Sequence, residues 1–140
     1  MTSEQYKDFM RRFLASSVDE DVAAFRAMLS PELVAHVLGG AVNREVFLQH
    51  NNVFNLAFSD RQFTAEDLTT EGDVVVARAT WRGTHTGDFQ GLPPTGKQVV
   101  INAFVMERLK EGKSVEHWSL FDRFTMMQQL GLIPPPQAAR

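Results

Sequence analysis

Apolar residues in the first third of the chain recur every three or four positions, the period of a helix with one buried face. Tyr6, Phe9, Met10, Phe13 and Leu14 form the first such stripe. Val18, Val22, Phe25 and Leu29 form the second, after the capping-box pair Ser17 and Glu20 and before Ser30–Pro31. Glu32 to Val37 reads as a short strand closed by Gly39–Gly40. Asn43 is a good N-cap for a third helix over Arg44 to Phe58. Its stripe runs Val46/Phe47, His50/Asn51, Phe54 and Ala57/Phe58, so two polar side chains occupy the middle turn of the inward face. Burying them unpaired costs about 1–3 kcal/mol each. They either hydrogen-bond within the core or face a polar cavity.

After Ser59–Asp60 the period changes to two. Gln62 to Thr70, Asp73 to Thr86, Val99 to Leu109 and Ser114 to Asp122 read as strands, with Glu111–Gly112 at the last hairpin turn. A closing helix over Phe124 to Leu130 ends at Gly131, and Pro134 to Arg140 is expected to be a disordered tail. Helices first and hairpin-linked strands after them predict one α+β domain over residues 1–133. The helices would cover one face of a curved, mostly antiparallel sheet. Where the sheet curls away from the helices, a cavity for a small ligand is expected.

Alternation sorts the strand residues by face. Ala77, Ala79, Trp81, Gly83 and His85 share one face, expected to point inward, and Arg78, Thr80, Arg82 and Thr84 share the other. In the last strand Trp118 and Asp122 share a face, opposite His117. A three-residue loop at Lys110–Gly112 pairs Phe104 with Trp118 and turns Asn102 inward; a two-residue loop sends Ile101 and Ala103 in instead. The first register is preferred. It gathers Asp122, His85, His50, Asn51 and Asn102 against Trp81, Phe104 and Trp118. A carboxylate desolvated by such walls rises toward the range useful for proton transfer. Asp122 also precedes the closing helix, where an Asp serves equally as an N-cap.

Composition acts by exclusion. Eleven Phe and two Trp among 140 residues need a folded core, so the bulk of the chain is not disordered. A net charge of −3 and no basic stripe argue against nucleic acid. No apolar run is long enough for a membrane span, and the first residues lack a signal-peptide pattern. The absence of Cys excludes disulfides, cysteine–zinc sites and cysteine nucleophiles, and agrees with a cytoplasmic protein. His36, His50, His85 and His117 have no paired metal-ligand spacing, so no metal is expected unless three of them converge with Asp122. Gly91-Leu-Pro-Pro-Thr-Gly96-Lys97 has the spacing of a phosphate-binding loop. Pro93 and Pro94 offer no N–H, Gln98 replaces the hydroxyl residue, and a strand follows instead of a helix. It reads as a rigid turn.

Glu71 to Arg78, Gly83-Thr-His-Thr-Gly87, Gly91 to Lys97, Glu116-His-Trp118, Asp122 and Gln129-Leu-Gly131 together resemble the SnoaL-like polyketide cyclases. The likeness runs from about Ala57 to Gly131. It implies the NTF2-like cone and an intramolecular aldol closure without metal or cofactor. It implies that Asp122 is the acid/base, that His85 lines the pocket, and that His36 stands at a pocket position.

Two functions follow. One is an enzyme in which Asp122 moves a proton at a carbon next to a carbonyl, His85 or an amide holds the enolate oxygen, and Trp81 and Trp118 press on a hydrophobic substrate. Hydrolysis, with Asp122 activating water, is a variant of it. The other is a non-catalytic module that binds a hydrophobic small molecule or a partner. A homodimer is expected through the open sheet face, built on Val115, Phe121 and Val105 or Met106, with Arg78, Thr80, Arg82 and Thr84 as rim.

Overall fold

The computed structural model describes residues 1–37 and 39–134. Helix α1, Ser3–Ser17, opens with a capping box at Thr2 and buries Phe9, Met10, Phe13 and Leu14, the stripe expected of it. Ser17 does not start the next helix. Its hydroxyl donates to the Leu14 carbonyl at 2.7 Å, and Asp21 caps a short α2, Val22–Ala27. Only Phe25 of that segment is buried, because the chain turns extended at Leu29. Strand β1, Leu29–Val37, therefore includes Pro31. The short β2, Gly40–Val42, folds back on it, and Asn43 caps α3, Arg44–Ala57.

Four long strands follow: β3, Phe58–Glu71; β4, Val74–His85; β5, Gln98–Lys110; and β6, Lys113–Phe121. The six strands form one sheet in the order β2-β1-β6-β5-β4-β3. All pairings are antiparallel except β1 with β6. The helices α1 and α3 pack on one face, giving the α+β architecture the pattern predicts. Helix α4, Arg123–Gln129, closes the described chain. The Gln129 amide both accepts from Val100 N and donates to Val100 O, so it pairs with the part of β5 that β6 leaves open. The expected tail lies outside the described residues except for Pro134, whose carbonyl accepts from Gln128 Nε2.

The β5–β6 hairpin departs from the preferred register. Glu111 and Gly112, both at positive φ (53° and 77°), form a two-residue turn that pairs Lys110 with Lys113. Between Leu109–Ser114 and Arg108–Glu116 the register shifts by one residue, so Val115 is bulged. The bulge puts His117 opposite Glu107 and Trp118 opposite Met106. Val99, Ile101, Ala103, Val105, Glu107 and Leu109 face the helices and are buried. Asn102, Phe104, Trp118 and Leu120 do share a face, but it is the outer one.

Candidate functional site

The helices and the inner sheet face enclose a cavity of about 230 Å³. Phe13, Phe25, Phe47, Phe54, Phe63, Trp81 and Phe121 line it. The polar lining comes from Ser17, His50, Asn51, Asn55, His117, Ser119 and Arg123.

A buried polar chain reaches this wall from inside the sheet. Glu107 is fully buried, and Ser114 Oγ donates to its Oε1 at 2.8 Å. Its Oε2 lies 2.5 Å from His117 Nδ1, and His117 Nε2 lies 3.0 Å from Ser119 Oγ. With Glu107 ionised, Nδ1 carries the proton and Nε2 is the free base, accepting from the serine. Burial pushes the Glu107 carboxyl above its usual range, and its bonds from His117 and Ser114 oppose that rise. The His117 ring packs on Phe13 and Phe47, centroids 5.7 and 4.5 Å away. Its Nε2 edge meets Ser119, and both residues line the cavity.

Along the same wall, α3 contributes the two residues that interrupt its apolar stripe. The Asn51 amide donates to the Ser17 carbonyl at 2.9 Å, and the residue lines the cavity. Asn55 donates to the same carbonyl at 2.9 Å. His50 lines the cavity half-buried. Burial, aided by the Arg123 charge, pushes its imidazole below the usual range and keeps it neutral at physiological pH.

Of the nine residues expected at the site, the structure brings only His50, Asn51 and Trp81 to the cavity. Asn102 and Phe104 face outward, because the register of β5 on β4 pairs them with outward Thr80 and Arg78. Trp118 is outward through the bulge, and His36 beside it stacks on its ring at 4.9 Å and bonds Glu116 Oε2 at 2.8 Å. His85 is inward and fully buried, but it lies outside the cavity wall. Its Nδ1 accepts from Thr95 N at 3.2 Å and lies 3.0 Å from Thr95 Oγ1, which pins the Pro93–Pro94 turn to β4. Asp122 is exposed and caps α4. It accepts from Thr125 N at 3.0 Å and Thr125 Oγ1 at 2.6 Å, and these bonds hold its carboxyl below the usual range, opposite to the rise expected. Among the described residues no three His, Asp or Glu side chains converge as metal ligands.

Sequence reasoning missed Glu107, His117, Ser119 and Arg123. Glu107 left a signal: it falls in phase with Val99, Ile101, Ala103, Val105 and Leu109, a charged residue inside an apolar alternation. His117 left none, because its side depends on the Val115 bulge.

The profile of the family described as SnoaL-like polyketide cyclase matches residues 7–130. The chain belongs to this family. Solved structures agree with the assignment. AclR of Streptomyces galilaeus, a candidate hydroxylase, is 26% identical, with a TM-score of 0.89 over 97% of this chain and 87% of that one. IdmH of Streptomyces antibioticus, a candidate polyketide cyclase, is 31% identical, with a TM-score of 0.79 over 91% and 99%. A SnoaL-like protein of Jannaschia, at 24% identity and a TM-score of 0.82 over 94% and 95%, shares the fold. No curated protein is similar enough to count as a match. The segments around His85 and Gly91–Lys97 fasten the β4–β5 connection and do not line the cavity.

Proposed function

We propose that this SnoaL-like protein catalyses cofactor-independent proton transfer at a carbon next to a carbonyl, on a hydrophobic substrate held in the cavity. Ring closure by an intramolecular aldol step is the reaction the family name suggests. The observation that carries the reading is the Glu107–His117–Ser119 chain ending on an aromatic cavity wall. His117 Nε2 removes the α-proton, and the C–H electron pair becomes the enolate. The imidazolium so formed is held by the Glu107 carboxylate and later returns the proton to the product oxygen. Glu107 and His117 act as one titrating unit. The role first expected of Asp122 passes to His117.

The outer sheet face supports a homodimer, with Met106 of the members expected and with Phe104, Leu120, Val34 and Val100 in place of Phe121 and Val105. Phe104, Leu120, Val34 and Val100 are 55%, 77%, 42% and 42% exposed there, around Trp118 and Met106. Phe121 is not among them; it faces the cavity.

Deuterium exchange at the methyl group of 2-acetylnaphthalene, followed by NMR, tests the chemistry without the natural substrate. The wild type is expected to accelerate exchange, and His117→Asn to reduce it by about 10²–10⁴-fold. Asp122→Asn is expected to exchange like the wild type. Loss in Asp122→Asn with retention in His117→Asn would return the role to Asp122 and refute the proposal. Absence of exchange in the wild type would favour a binding module.

A further inference from the structure

Arg123 is the one cationic side chain on the cavity wall among the described residues. Its guanidinium stacks over the Phe54 ring, 4.8 Å from the centroid, and is about half buried. Its closest polar partner is His50 Nε2, at 3.5 Å, a long contact to a neutral ring. Among the described residues no Asp or Glu lines the cavity, and no carboxylate offsets the cost of Arg123's burial. Asp122, its chain neighbour, spends both oxygens on Thr125. A guanidinium has five N–H donors in a planar fork. Here most of that fork has no protein partner, and it stands beside the Phe54 ring on the cavity wall. A guanidinium held on an aromatic wall with no carboxylate beside it is open to bidentate pairing with an anionic ligand.

We infer that the cavity takes a hydrophobic ligand bearing an anionic pair of oxygens, and that Arg123 binds that pair while the apolar body lies against Phe54, Trp81 and Phe121. Either a carboxylate or an ionised 1,3-diketone presents such a pair. Arg123 then fixes which end of the ligand enters and how far its carbonyl carbons stand from His117. The inference rests on the cavity being the substrate site, but not on His117 being the base.

Calorimetric titration with two matched probe pairs tests it. The first pair is 2-naphthoate and its methyl ester. The second is 4,4,4-trifluoro-1-(2-naphthyl)butane-1,3-dione, an open-chain diketone ionised at neutral pH, and its 2,2-dimethyl derivative, which cannot ionise. The anion of at least one pair is expected to bind about tenfold or more tighter than its neutral partner, as a charge-assisted bond allows. The pair that discriminates identifies the source of the oxygens. Arg123→Met is expected to abolish the preference while leaving neutral-probe affinity within about twofold, and Arg123→Lys to keep part of it. Equal binding within both pairs overturns the inference, as does a preference that survives Arg123→Met, or no binding of any probe at millimolar concentration. If Arg123→Met does not fold, full retention of the preference in Arg123→Gln overturns it equally. His117→Asn separates the two readings: it removes proton exchange but is expected to leave anion selectivity in place.

Discussion

Replacing Glu107 by Ala removes one half of a buried polar pair. Glu107 is fully buried and His117 nearly so, and the carboxylate accepts from both His117 Nδ1 and Ser114 Oγ. Truncation strands the His117 donor and leaves Ser114 Oγ only the Glu116 carbonyl, at 3.3 Å, in a site water reaches poorly. Breaking a buried pair in this way costs about 3–5 kcal/mol. Unfolding entropy near 60 °C is about 2.1 cal/mol/K per residue, or about 0.3 kcal/mol per kelvin for this chain. The expected fall in Tm is therefore about 10–17 °C, a large part of a domain's total stability. Glu107→Gln keeps an acceptor for Nδ1–H and should cost less than half as much. The double variant Glu107→Leu/His117→Phe removes both polar groups at once. It should lie far closer to the wild type than the two single costs added together, because an apolar pair needs no partners. Urea and thermal melts of these three variants and of the single substitutions Glu107→Leu and His117→Phe decide it. A Glu107→Ala cost below about 1 kcal/mol, or strict additivity in the double variant, would refute the claim that this pair is sealed and coupled.

Asp122→Ala should cost about 1 kcal/mol, the usual worth of an N-cap, measured by thermal melting. Because the folded carboxyl sits below the usual Asp value, its contribution is present above that value and lost as pH falls through the lowered one; Asp122→Ala should therefore converge on the wild type in acid. Light scattering should give twice the 15.8 kDa chain mass, and Leu120→Asp, at the centre of the exposed apolar face, should give the single-chain mass; a wild-type monomer or a surviving dimer would move or remove the interface.

The architecture was legible because it rests on local periodicity. The three- and four-residue spacing of Phe9, Met10, Phe13 and Leu14 requires a buried helical face, and the alternation Ala77, Ala79, Trp81 requires a strand half inside the core. His50 and Asn51 were legible for the same reason, as polar residues breaking an apolar stripe. Side-chain placement on β6 was not, because it depends on two backbone events within five residues. The two-residue turn at Glu111–Gly112 pairs Lys110 with Lys113, and without a bulge that register would set Glu116 against Glu107. Two buried carboxylates facing each other inside the core could not both ionise. The extra residue at Val115 replaces Glu116 by His117, and Glu116 moves to the outer face, where His36 and Arg108 reach it. The same shift carries Trp118 and Leu120 to the sheet exterior and places Ser119 beside His117 Nε2. One inserted residue thus builds the inner polar chain and the outer apolar face together. Periodicity cannot reveal it, since Val115 lies in an ordinary strand sequence. The chemical cue was the isolated Glu107, whose burial demands a partner on the facing strand.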